Sequence, residues 1–163
     1  MSEQDKQQGL ARRTQVMGEA FASRAMSGLD GFNRPLQDWL NEHAWGSTWQ
    51  RDGLELKTRS LLTCAMLAAL GRSQELKGHI RGAINNGLTK DEIKEVFLQA
   101  AIYCGVPAAN TAFKITGEIL KAEGLAPMPM PLTRAARPRV QHTFSQPQLH
   151  LMLQGEGRGV PLV

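Results

Sequence analysis

An all-α fold is predicted by three features of this 163-residue chain. Apolar side chains recur at spacings of three and four through successive windows, the period of a helix with one buried face. Glycine and proline punctuate those windows and leave only short connections. No stretch alternates apolar and polar residues over the length of a strand. Helices joined so tightly are expected to pack on their neighbours around one core.

The elements follow in order. Residues 1–9 are polar and expected to fray. Val16, Met17, Ala20 and Phe21 share a face of a helix over 10–26, which Gly28 and Gly31 end. Pro35 suits the first turn of a helix over 34–44, with Leu36, Trp39, Leu40 and His43 as its stripe. AWGSTWQRDG is then a loop carrying Trp45 and Trp49. In the helix over 54–70, only Thr63 is clearly polar between Leu61 and Leu70, which predicts burial on most sides. Asp52 and Glu55 suit a capping box ahead of it, and Gly71 its end. A helix over 74–86 has Leu76, Ile80, Ala83 and Ile84 as its stripe, with His79 at the edge, and stops at Asn86-Gly87. Thr89 and Glu92 form a second capping box for a helix over 90–104, which buries Ile93, Val96, Phe97, Ala100 and Ala101. Pro107 opens a last helix over 107–122, with Ala109, Ala112, Phe113, Thr116, Ile119 and Leu120 inward and Gly124 beyond its end.

Composition divides the chain into a helical domain over 1–124 and a basic, proline-rich tail over 125–163. The tail holds six of the eight prolines, so APMPMPLTRAARPRV is expected to be extended or disordered. Leu149, Leu151, Met152 and Leu153 form a short apolar patch within it, suited to the core or to a neighbouring subunit. Of the net charge of +4, the tail carries +3 and the domain +1. The near-neutral domain therefore weakens the case for a nucleic-acid binder, which usually shows a basic face on the fold itself, and no nucleic-acid partner is expected. No apolar run is long enough to span a membrane. The opening MSEQDKQQGLARR has no apolar signal core, which points to the cytoplasm. Cys64 and Cys104 lie 40 residues apart in apolar helical runs, where buried, inert thiols are expected in place of a disulfide or CxxC pair.

His79 is the leading candidate for chemistry: a general acid or base near neutral pH, or a histidine hydrogen-bonded at a helix contact. Glu75 lies four residues before it on the same face, and Arg72 precedes both. The three suit an anion beside a proton donor, or a solvated helix terminus. Trp45, Trp49, Arg51 and Arg59 offer aromatic walls and arginine forks for a small carboxylate, although the tryptophans equally suit a core. Tyr103 near a helix end suits an oxyanion donor or a half-buried side chain. Glu42 and His43 adjoin the tryptophan loop, with His43 on the apolar stripe. The dispersed histidines and two distant cysteines make no metal set. GxGxxG, GxxxxGK and GxSxG motifs are absent.

AWG..W at 44–49, TRSL at 58–61, H.RGA at 79–83 and KEVFLQAAIYCGVPAAN at 94–110 together resemble the carboxymuconolactone decarboxylase family, over about Gly9 to Glu123. The resemblance implies an all-helical, alkylhydroperoxidase D-like subunit of about six helices that assembles into a homo-trimer or homo-hexamer. The related alkylhydroperoxidase D branch carries a CxxC pair where this chain has Arg72 and Glu75, and a glutamate where it has Ser60. Peroxide reduction by a thiol relay is therefore not expected. The implied activity is cofactor-free decarboxylation of 4-carboxymuconolactone to 3-oxoadipate enol-lactone, in protocatechuate breakdown. Loss of CO2 leaves a dienolate whose charge reaches the lactone carbonyl, so the protein must supply an acid, an oxyanion donor and a carboxylate anchor. His79 takes the acid's place, with Glu75 beside it. Arg72 or Arg59 anchors, and Trp45, Trp49 and Tyr103 shape the pocket. Two other readings stand: a non-redox paralogue acting on another carboxylated lactone, and a non-catalytic helical oligomer whose tail meets an acidic partner.

Overall fold

Helical periodicity carries through to seven α-helices in the computed structural model, which describes residues 3–125. They are α1 (Glu3–Met17), α2 (Glu19–Ser27), α3 (Arg34–Trp39), α4 (Leu56–Ala69), α5 (Ser73–Asn85), α6 (Lys90–Tyr103) and α7 (Val106–Ala122). A π-helical turn over Leu40–Trp45 continues α3, and a 3-10 turn over Thr48–Gln50 follows it. Among the described residues there is no strand, and no helix is long and apolar enough to cross a membrane. The expectations for the proline-rich tail lie outside the described residues.

The second half follows the sequence pattern closely. Leu76, Ile80 and Ala83 of α5 meet Ile93 and Phe97 of α6, Ala112, Ile115 and Ile119 of α7, and Cys64 and Ala68 of α4. Thr89 and Glu92 form the expected capping box. Lys57 pairs with Glu92 at 2.8 Å and links α4 to α6, which, with the Thr89 bonds, holds the Glu92 carboxyl down to about 2. Gly71, Gly87 and Gly124 follow α4, α5 and α7 with positive φ, a backbone region open to glycine at little cost.

Several details depart from expectation. The N-terminal segment is helical from Glu3, and the helix expected over 10–26 breaks at Gly18, whose φ of 88° suits glycine and interrupts the helical path. No capping box precedes α4: the N-cap falls at Glu55, three residues after Asp52, and the Glu55 side chain makes no cap bond. Nor is α4 buried on most sides. Ser60, Cys64 and Ala68 are buried, whereas Met66 and Leu70 are 59% and 70% exposed. Leu36 and Trp39 are exposed too, because the π turn, not α3, supplies the buried contacts of that segment. In α7 Ile115 is buried where Phe113 was expected. Cys64 is buried, and burial pushes its thiol up to about 12, whereas Cys104 at the end of α6 is exposed.

Close backbone approaches set the N-terminal half. A Cβ on Gly9 would lie 1.8 Å from the Asn41 carbonyl oxygen, and one on Gly46 2.5 Å from that of Asp5. Only glycine lets α1 lie directly on the π turn. Gln50 fastens the arrangement, its Nε2 donating to the carbonyls of Gln8 and Trp45 while Arg12 donates to its Oε1. Across the other side of α1, Gly78 and Gly82 of α5 admit Phe21 and Met17. Gly9→Ala is expected to cost about 3 kcal/mol or more, because backbone must move to make room. Gly28→Ala, with open space around its Cβ, is expected to be near neutral. Thermal unfolding of the two variants checks the contrast.

Candidate active site around His79

His79 lies on α5, one turn after Glu75, and its ring is half-buried. Its plane is within 6° of the Trp45 indole, with centroids 6.4 Å apart. Trp45 stacks in turn on Trp49 at 4.9 Å. Both tryptophans are buried and pack with Val16 and Met17 of α1, so the aromatic wall is fixed from behind. The five-residue reach of the π turn, closed by Gly46 N–H donating to the Asn41 carbonyl at 2.7 Å, turns Trp45 inward.

A residue not singled out in the sequence completes this group. Arg13 of α1 is 6% exposed. Its Nη1 donates to Gln37 Oε1 at 2.9 Å and to Asn41 Oδ1 at 3.2 Å, and its guanidinium lies 5.7 Å from the centre of the Phe21 ring. Its Nε is buried without a partner. Among the described residues no carboxylate pairs with it. The signal was present in the pattern: Arg13 stands four before Met17 and four after Gly9, on the inward stripe of α1.

Electrostatics follow from that enclosure. Burial disfavours imidazolium, and the Arg13 cation opposes it further, while Glu75 pulls the other way; the balance pushes His79 down to about 4. His79 is therefore neutral at pH 7 in the free protein. Burial likewise pushes Arg13 below the usual guanidinium value.

The other expected residues spread around this centre. Glu75 and Arg72 are exposed, Glu75 in the first turn of α5 and Arg72 as its N-cap residue. Arg59 of α4 donates from Nη2 to the Arg51 carbonyl at 2.8 Å, and its Nε is buried without a partner. Trp49 borders a cavity of about 210 Å3 with Arg12, Arg51 and Glu55. Tyr103, 78% exposed, instead lines an apolar cavity of about 450 Å3 with Leu61, Leu62 and Cys104, between α4 and α6. His79 borders neither cavity. His43 stacks on Trp39 at 4.8 Å and is half-buried. No group of three metal-ligating side chains occurs among the described residues.

Comparison with known proteins gives this geometry its context. The model of the carboxymuconolactone decarboxylase family matches residues 34–118. A 4-carboxymuconolactone decarboxylase of Acinetobacter baylyi is 46% identical over 77% of this chain and 93% of its own length. A nitrosuccinic acid decarboxylase of Metarhizium robertsii is 43% identical over 67% of this chain and 76% of its own.

The depressed His79 value has a stability consequence. Between pH 4 and the ordinary value of 6.5 the unfolded chain binds the proton that the folded one excludes, so stability rises with pH through that window and is lost as pH falls. The loss at full protonation is expected to reach about 3 kcal/mol. His79→Gln should flatten that dependence, and NMR titration of the imidazole should give a midpoint below 5 in the free protein. A midpoint near 6.5 would contradict the buried, cation-flanked placement.

Proposed function

Since the chain belongs to the carboxymuconolactone decarboxylase family, we propose that it is a carboxy-lyase that removes CO2 from 4-carboxymuconolactone to give 3-oxoadipate enol-lactone, without a cofactor, in protocatechuate catabolism. The observation that carries this reading is the desolvated His79, set against the Trp45–Trp49 wall and beside an arginine that has no carboxylate partner among the described residues. The 46% identity to a protein named for that activity supports it over nearly the whole length of the relative.

The reaction suits such a site. The departing carboxylate is attached to the saturated γ carbon, next to the lactone C=C–C=O. As the C–C bond breaks, its electron pair moves into the ring and leaves a dienolate with charge on the carbonyl oxygen, while CO2 departs. One proton delivered to the α carbon then completes the enol-lactone. The substrate is its own electron sink. The protein's tasks are to orient the ring, exclude water, support the developing charge and supply the proton.

His79 is the proposed donor. In the free protein it is neutral, so it must take up a proton from solvent as the substrate dianion binds. Two incoming carboxylates add negative charge beside the ring, which favours imidazolium and readies the acid. Glu75 acts in the same sense. Trp45 and Trp49 would form the apolar wall against which the leaving carboxylate loses its solvation. Arg59 and Arg72 remain candidates for contacts at the rim, and Tyr103 for a pocket completed by another subunit.

Assembly belongs to the same proposal. Leu62 and Met66 of α4, Leu70 at its C-cap, and Ile102 and Tyr103 of α6 are exposed large apolar side chains, and Leu62 and Tyr103 share the 450 Å3 cavity. Apolar surface of this kind marks association. A homo-trimer or homo-hexamer through these helices would cover it.

A second reading is favoured by the Metarhizium relative: a paralogue acting on another acid of the same frame. Nitrosuccinic acid and 4-carboxymuconolactone share a succinate skeleton. In each, the leaving carboxylate is on a carbon next to an electron sink, nitro in one and ene-lactone in the other. A second carboxylate lies one methylene further on.

The purified protein is expected to release CO2 from 4-carboxymuconolactone faster than from nitrosuccinate. The reverse order would favour the second reading, and release from neither would overturn both. His79→Gln is expected to lower turnover by ~10²-fold or more, with near-wild-type turnover removing His79 from the proton's path.

A further inference from the structure

Three arginines compete for the role of carboxylate anchor, and they differ in depth and in what occupies them. Arg72 is exposed at the start of α5, where water solvates it. Arg59 is only half-buried; its Nε is also without a partner, but its Nη2 on the same edge already holds the Arg51 carbonyl at 2.8 Å. Arg13 is the deepest, and it is near enough to His79 to act on its charge. Two amide oxygens and an aromatic face immobilise it, yet these are neutral partners for a full charge. A buried cation without a counter-ion is costly unless an anion completes it. The unpartnered donor is Nε, and an arginine edge presenting Nε–H beside an Nη–H is the edge that a carboxylate grips with two parallel bonds.

We propose that Arg13 is the substrate-binding residue that holds the non-departing carboxylate of the succinate frame, one methylene from the carbon that loses CO2. This rests on the decarboxylase reading above and adds the anchor to it. Gln37 and Asn41 are its positioning residues: their side-chain oxygens fix the guanidinium from Nη1, so that Nε remains for the ligand. The polar sequence of α3 and the π turn thereby acquires a purpose that core packing does not require. Arg59 and Arg72, the arginines that the sequence pattern favours, are left to rim contacts.

The test uses muconolactone, the furanone acetate that lacks the departing carboxylate and so cannot lose CO2 there, and its primary amide, which lacks the anion. Wild-type protein is expected to bind the acid roughly 10- to 100-fold more tightly than the amide, as a charge-assisted pair implies. Arg13→Gln should bring the two affinities together, while Arg13→Lys should keep part of the difference. For the reaction itself, Arg13→Lys should raise KM more than it lowers kcat. Should Arg13→Gln fail to fold, the wild-type Arg13 Nε–H resonance supplies the answer: it should move downfield with the acid and not with the amide. An acid-to-amide ratio that is the same in wild type and Arg13→Gln, or an unmoved Nε–H signal at saturating acid, overturns the assignment. The two readings separate cleanly. Wild-type turnover without Arg13-dependent discrimination removes the anchor and leaves the decarboxylase. Arg13-dependent discrimination without turnover keeps the carboxylate site and removes the decarboxylase.

Discussion

Desolvation of two nitrogenous side chains in one place is the constraint on which this subunit turns. Arg13 of α1 and His79 of α5 lie 66 residues apart in sequence, yet the fold brings them near enough for the cation to oppose the imidazolium. Neither is easy to bury alone, and together they repel whenever both are charged. The protein resolves the conflict by keeping Arg13 charged, with Gln37 and Asn41 as partial solvation, and His79 neutral. That resting state is poised for an anion. A carboxylate beside Arg13 would offset the cation that holds the imidazole proton off, and the same event would bring substrate to the acid. Binding and protonation are then one coupled step, with no separate proton relay.

Backbone geometry makes the meeting possible. Gly9 and Gly46 let α1 lie on the carbonyls of the π turn, at distances no Cβ would tolerate. Gly78 and Gly82 bring α5 against the other side of α1. Arg13 therefore lies between two surfaces held close by glycine, and the Trp45 wall is clamped by Gln50. The π turn contributes one more thing. Its wider path changes which side of the segment faces inward, so Asn41 and Trp45 are buried while Leu36 and Trp39 are left out. A regular 3.6-residue helix could not make that change of face within so few residues.

This explains where the sequence was readable and where it was not. From α4 to α7 the apolar period, the Thr89–Glu92 box and the terminal glycines all point to one arrangement, and the helices begin and end within a few residues of expectation. Local chemistry decides there. In α1 to α3 the decisive contacts are long-range. Gly18 reads as an ordinary helix residue until its left-handed backbone is seen, and Gly9 as a fraying terminus until Asn41 is found against it. Arg13 is the instructive case. Its spacing puts it on the buried stripe, but a charged residue there is ordinarily discounted as solvated. His79 and the two tryptophans were named from pattern and family likeness, and the structure brings these three together. Tyr103 and Arg72 do not join them within one subunit, because one lies on the exposed end of α6 and the other precedes α5.

The division of labour that follows bears on how one such scaffold serves different acids. Decarboxylation needs a place for the electron pair, and in 4-carboxymuconolactone or nitrosuccinate the substrate brings that place with it. What the two acids share is the succinate frame, and a fixed guanidinium such as Arg13 would recognise that frame without reference to the sink. Discrimination between sinks must then come from the other side of the reacting carbon, where the ring or nitro group lies. Under the proposal that side would be the indole wall, a flat apolar surface that suits a planar unsaturated lactone ring better than a compact nitro group. A deep anchor common to the frame and a shallower wall matched to the sink would let substrate preference change at the wall while the acid and its anchor stay in place.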